Sequence, residues 1–184
     1  MTVVWLTGRP ASGKTTLARV LVAALGEAGV HATLVDSDEV RAVLTPAPRY
    51  DDDERTLVYR AIAYLARRLA DEGVVPIVAA TAHDAHLRAI ARKIAPELLL
   101  VHVDCPLAMC EARDPKGLYA RARRSPDGHL PGVHVPYEPP DDAVVTVNGA
   151  LPLEGAVVSS LVDKIRQDLR EQAHGLRRPH AWRA

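Results

Sequence analysis

The sequence predicts an α/β fold, a parallel sheet of about five strands with helices on both faces. Three observations carry this. Short runs of Val, Ile and Leu alternate along the chain with longer amphipathic helical patterns. Those runs, among them "VVWL", "VVPIVAA" and "LLLVHVD", are continuous rather than alternating, as strands covered on both faces must be. The first run leads straight into a glycine-containing loop and then a helix, the start of a right-handed parallel crossover.

Element by element, a strand over 2–7 opens the chain and a helix over 15–27 follows, with Gly29 marking the turn out of it. "HATLVD" is the second strand, ending at Asp36, and a short helix begins near Glu39. "TPAPRYDDD" is a loop with two prolines, whose acidic triplet at 51–53 caps a helix running to Asp71. "VVPIVAA" is a buried-type strand despite Pro76, residues 85–94 are helical, and "LLLVHVD" is the fourth strand, ending at Asp104. "AVVTV" and a last helix over 154–171 close the domain. The expected organisation is one domain over 1–172 with a lid over about 113–136, then a tail over 173–184 in which Trp182 can dock.

The loop after the first strand reads Gly8-Arg9-Pro10-Ala11-Ser12-Gly13-Lys14-Thr15 and fits G-x-x-x-x-G-K-[ST]. Its glycines let successive backbone N–H groups turn inward on an oxyanion, and the helix start adds a positive dipole end. Lys14 supplies a mobile charge for β- and γ-phosphates, and the Thr15 hydroxyl is suited to Mg²⁺. A plain glycine turn is the bland alternative, but strand before and helix after favour a P-loop and bound ATP. Gly8, Ala11, Ser12, Gly13, Lys14, Thr15 and Thr16 are the expected nucleotide contacts, joined by Arg113 at the end of a later helix.

Strand ends collect ligands in such sheets, and this chain places Gly8, Asp36, Thr81 and Asp104 there. In "VDSDEVR", Asp36 and Asp38 follow the second strand. One carboxylate can hold Mg²⁺ with Thr15 and the other can take a proton from an attacking hydroxyl. The competing reading is capping, with Asp38 placed to cap the helix carrying Arg41. "CEARDPKGLYARARR", residues 110–124, combines a helix end, an Asp-Pro turn and a basic cluster around Gly117. A basic segment of this kind suits a lid that closes over phosphates; a solvated basic helix is the alternative.

Charge is balanced, 23 basic against 23 acidic side chains, which removes any general argument for nucleic-acid or acidic-membrane binding. No apolar run approaches the ~18 residues of a membrane span, and no basic start precedes an apolar signal segment, so a cytoplasmic location is expected. Cys105 and Cys110 lack zinc spacing and are expected to be inert buried thiols. His83 and His86 are read as polar loop residues with acceptor contact as the alternative, and His102 as structural.

"GRPASGKTT", "VDSDEVR", "CPLAMCEARDPKGLYARAR" and "PGVHVPYEPP" resemble, in order and spacing, the adenylylsulfate kinase family, over about residues 2–145. The family's counterparts are GxSGSGKST, DGDNxR, PLExCExRDPKGLYxKAR and FTGIDDPYExP. The resemblance implies transfer of the ATP γ-phosphoryl to the ribose 3′-hydroxyl of adenosine 5′-phosphosulfate. It makes Asp36 or Asp38 the base or metal holder, Arg41, Arg55 and Arg60 ligands of an anionic acceptor, and Lys116 a lid contact. A homodimer is a candidate assembly.

Departures concentrate in the acceptor half. Tyr50 stands for a phenylalanine that packs on adenine, Val58 for an asparagine, and "TAHDA" at 81–85 for ISPYR. Leu130 stands for a second stacking phenylalanine, the chain having no Phe at all, and His134 and Val135 replace two aspartates. A weakened base clamp is therefore expected, at roughly 1–3 kcal/mol per stacking face. A kinase acting on adenosine 5′-phosphosulfate or a related anionic metabolite is the leading reading. A family-related kinase for another hydroxylated substrate, a P-loop regulatory NTPase and a weakened binding module are its competitors.

Overall fold

The computed structural model describes residues 2–125 and 128–174. In it five strands form one parallel sheet in the order β2-β3-β1-β4-β5. β1 (Val3–Thr7) lies at its centre, flanked by β3 (Val75–Ala79) and β4 (Leu98–Asp104), with β2 (Ala32–Asp36) and β5 (Val145–Asn148) at the edges. Each crossover carries helix: α1 (Lys14–Glu27) after β1, α2 (Ser37–Leu44) and α3 (Asp52–Asp71) after β2, and α4 (Ala85–Ile94) after β3. Then α5 (Leu107–Arg113) and α6 (Leu118–Ala122) follow β4, and α7 (Gly155–Ala173) follows β5.

The continuous apolar runs divide by strand alternation. Val3, Trp5 and Leu100 pack with Val58, Ile62 and Leu87 beneath α3 and α4. Val4, Leu6 and Val101 pack with Leu17, Leu21 and Ile165 beneath α1 and α7. Both faces of β1 are thus removed from water, which is why its sequence shows no alternation. At about 25 cal/mol per Å² of apolar surface, such burial is the dominant favourable term for these strands.

Pro76 sits inside β3, a strand paired on both sides. Val75 N–H donates to the His31 carbonyl on the β2 side, so the next residue turns its nitrogen toward β1. Pairing with β1 begins only at Ile77, opposite Val4, and the missing N–H falls where there is no ladder to complete.

Helix starts differ from expectation by a turn or less. α1 begins at Lys14 on Gly13, whose φ of 103° suits glycine. α2 begins at Ser37 rather than near Glu39, because the Asp36 side chain accepts from Asp38 N–H at 2.9 Å. The cap is therefore Asp36, not Asp38. Within the acidic triplet it is Asp51 that caps α3, accepting from Glu54 N–H, while Asp52 and Asp53 occupy the first turn. α7 runs to Ala173; Trp182 and its expected docking lie outside the described residues.

Candidate active site

A cleft of about 1300 Å³ opens at the carboxyl ends of β1, β2 and β5. That exceeds the roughly 300–1,000 Å³ of a one-ligand pocket and has room for two substrates. One end is lined by the P-loop, Arg113 and Asn148 to Glu154; the other by Arg41, Tyr50, Arg55 and Leu130; Asp36, Asp38 and Lys116 stand between them.

The loop after β1 is folded as an anion cradle. A Cβ on Gly8 would lie 2.5 Å from the Val103 carbonyl oxygen and 2.6 Å from Ser12 Oγ, so only glycine lets β4 and the loop approach this closely. Ser12 Oγ is buried without a hydrogen-bond partner among the described residues, an orphan that a phosphate oxygen inside the loop would satisfy. Ala11 has φ of 60° at the position where the GxSGSGKST pattern has glycine. Lys14 Nζ donates to the Gly8 and Arg9 carbonyls at 2.9 and 2.8 Å. Burial pulls its pKa down to about 8 against the opposing pull of Asp38 and Asp36. Thr16 is exposed at the cleft edge.

Thr15 Oγ1 donates to Asp36 Oδ2 at 2.9 Å. This hydroxyl–carboxylate pair beside the cradle fits a hard cation that takes its remaining ligands from phosphate and water. No cluster of three or more His, Cys, Asp or Glu able to hold a metal occurs among the described residues, and Mg²⁺ on a nucleotide does not need one. Asp38 is exposed and pairs with Lys116 Nζ at 2.6 Å, which raises the lysine's pKa chiefly through that hydrogen bond.

Arg113 joins α5 to the loop after β5, donating to the Gly149 and Ala150 carbonyls at 2.5 and 3.0 Å. Gly149 was not singled out from sequence. A Cβ there would lie 2.6 Å from the Ser12 carbonyl oxygen, so its smallness lets this loop close on the P-loop. The "NG" pair after a strand was the available signal.

The acceptor-side arginines are not equivalent. Arg41 pairs with Glu54 at 2.5 Å and lies 4.8 Å over the Tyr50 ring. Arg55 is buried and satisfied three times, by the Tyr50 carbonyl, His83 Nδ1 and the His129 carbonyl. Burial lowers the pKa of both Arg55 and His83. Arg60 is exposed on α3 and does not line the cleft, because Val58 and Tyr59 turn the opposite face of that helix into the core. His83 stands behind Arg55 and His86 is exposed; neither lines the cleft, whereas Thr81 does.

Glu54 and Tyr59 are further groups that sequence reasoning missed. Glu54 accepts from Arg41 and from the backbone N–H of Arg49 and Tyr50. The Tyr59 hydroxyl accepts from Ala82 N–H at 2.6 Å, and burial raises its pKa to about 12. Cys105 and Cys110 are buried thiols, with Cys110 pushed up to about 12 by burial. His102 is buried against the Tyr137 ring.

Cradle, hydroxyl–carboxylate pair and the basic segment after α5 together define a P-loop phosphotransferase by class. The family described as adenylylsulphate kinase matches residues 1–148. The adenylyl-sulfate kinase of Enterobacter sp. (strain 638) is 37% identical over 168 residues, 90% of this chain and 83% of that protein. The Mycobacterium tuberculosis APS kinase solved with AMPPNP and APS is 31% identical, with a TM-score of 0.80 over 92% of this chain and 97% of that one. A gluconokinase from Sinorhizobium meliloti, 21% identical with a TM-score of 0.55, shares the fold alone. This chain belongs to the adenylylsulphate kinase family and is an ATP-dependent phosphotransferase. No helix among the described residues is long and apolar enough to cross a membrane.

Proposed function

We propose that the chain transfers the γ-phosphoryl of ATP to the 3′-hydroxyl of adenosine 5′-phosphosulfate. The observation that carries this is the two-ended cleft, with the P-loop at one end, an Arg- and Tyr-lined wall at the other, and Asp36 and Asp38 between.

The loop amides and Lys14 hold the β- and γ-phosphates, with Gly8, Ala11, Ser12, Gly13, Thr15 and Thr16 around them. Thr15 and Asp36 would hold Mg²⁺, whose charge offsets that of the phosphates. The Asp38 carboxylate takes the proton of the acceptor hydroxyl as its oxygen attacks, once Lys116 leaves it for phosphate. Arg113 fixes the loop that borders the nucleoside end. Arg41 and Arg55 give the acceptor's anionic end a guanidinium wall, Tyr50 gives its base one stacking face, and Leu130 closes the other side. Arg60 has no part in this arrangement. Residues 113–136 act as the lid of a single domain over 1–172, and two copies pair through the outward face of α3.

Phosphoryl transfer to adenosine 5′-phosphosulfate, read as its gain of one phosphoryl mass, tests the reading. Wild type should turn it over, with Lys14→Ala inactive though folded. Asp38→Asn should lose at least about a hundredfold in kcat with little change in ATP affinity, as a base acting in the transition state requires. A folded Lys14→Ala with normal turnover, or a wild type acting on a neutral sugar in preference, overturns it.

A further inference from the structure

The loop over 128–135 forms the Leu130 side of the cleft, and it is suspended between two helices. On one side Arg55 of α3 donates to the His129 carbonyl. On the other, Leu130 and Val133 pack on the cluster that holds Tyr119 of α6, and the polar link is His134. Leu130 N–H donates to His134 Nδ1 at 3.1 Å, and His134 Nε2 lies 3.1 Å from the Ala122 carbonyl oxygen at the end of α6.

The partners fix the ring's state. A backbone N–H can only donate, so Nδ1 is the acceptor; a carbonyl can only accept, so Nε2 carries the proton. Both ring nitrogens are then used, Nδ1 accepting and Nε2 donating. Gly128 lies against the ring, where a Cβ would push the imidazole off its two partners. The Leu130 carbonyl also accepts from His134 N–H at 2.9 Å, closing the turn. An aspartate, which stands here in FTGIDDPYExP, has no proton to give the Ala122 carbonyl, so this bridge is a property of the present sequence.

We propose that His134 is a positioning residue that couples lid helix α6 to the acceptor wall, so that the placement of α6 sets where Leu130 stands over the acceptor. This rests on the reading that the Arg41–Leu130 end of the cleft takes the phosphoryl acceptor. Tyr119 of α6 donates to the Pro10 carbonyl at 2.9 Å without His134, so losing the bridge leaves α6 on the P-loop and acts on acceptor affinity more than on ATP. Glutamine carries one acceptor and one donor at its tip and can span the same two backbone groups; alanine cannot.

The test is steady-state kinetics of wild type, His134→Ala and His134→Gln, with ATP and adenosine 5′-phosphosulfate varied separately. Hydrogen exchange at the Leu130 amide is read in the same full-length proteins. The expected result for His134→Ala is a KM for adenosine 5′-phosphosulfate raised about tenfold. The KM for ATP stays within about twofold of wild type and Leu130 protection is lost; His134→Gln restores the acceptor KM and the protection. The proposal is overturned if His134→Ala raises both KM values alike, leaves both unchanged, or is matched by His134→Gln. A wild type that leaves adenosine 5′-phosphosulfate unphosphorylated refutes the acceptor reading itself and the role of His134 with it, an outcome read in the wild type alone.

Discussion

Lys14 is enclosed by its own loop, bonded to the Gly8 and Arg9 carbonyls, with its pKa drawn down to about 8 from 10.5 by burial. Between those values the unfolded chain binds a proton that the folded chain does not, so this group makes stability rise with pH across that window. Activity should move the other way. Free enzyme with neutral Lys14 lacks the charge for ATP phosphates, so kcat/KM for ATP should fall above about pH 8. Phosphates bound beside the amine hold it protonated, so kcat should fall only at higher pH. A kcat/KM for ATP that stays flat to about pH 9.5 would remove Lys14 titration from the mechanism. The Lys14 position was legible because G-x-x-x-x-G-K-[ST] ties one residue to one geometry. The left-handed φ of 60° at Ala11 was not, since alanine gives no sign of a strained backbone.

At the scale of elements, the turn from α2 into α3 is organised by one carboxylate. Glu54 faces Arg41 and the N–H groups of Arg49 and Tyr50, and its side chain is 6% exposed. Asp51 and Glu54 have the spacing of a capping box, and the sequence showed that a helix starts there. It did not show that Glu54 would reach past the cap to the loop and hold Arg41 beneath Tyr50, because that depends on where α2 packs. Arg60 shows the same limit from the other side. Family spacing placed it at the acceptor, while the helix phase that buries Val58 and Tyr59 turns it to solvent. Glu54→Gln keeps the shape but removes the charge from a buried pair. It should cost about 2 kcal/mol, seen as a fall in Tm of roughly 5 °C, and raise the KM for the acceptor as Arg41 and Tyr50 lose their fixed placement. An unchanged Tm would mean that the Arg41–Glu54 contact contributes nothing to the fold.

At the scale of the whole molecule, the parallel sheet and a ligand cleft at its strand ends follow from apolar runs and crossover handedness read in the sequence. The order β2-β3-β1-β4-β5 was not read there, because which strands pair across the sheet depends on long-range packing. Pairing of copies entered the sequence reading only as an implication of family, since exposure is not written in a helical pattern. The structure leaves Leu57 58% and Tyr64 60% exposed on the face of α3 away from the core, with Leu65 beside them. Large apolar side chains about two turns apart on one solvent face are the surface through which two copies are proposed to pair. The first turn of the helix carries Asp52, Asp53 and Glu54, and in its last turn Arg68 is paired with Asp71 and Glu72. A second copy packed across a twofold axis would set each Leu57–Tyr64 patch on its own counterpart, the self-complementarity a C₂ interface requires. Sedimentation should therefore find a dimer, and Leu57→Glu with Tyr64→Glu should give a folded monomer, because four carboxylates would meet at the axis. Neither residue lines the cleft, so the monomer should keep its KM for ATP within about twofold. A wild type that sediments as a monomer at about 100 μM, well above the Kd of a standard interface, overturns pairing through α3, and so does a double variant that remains dimeric.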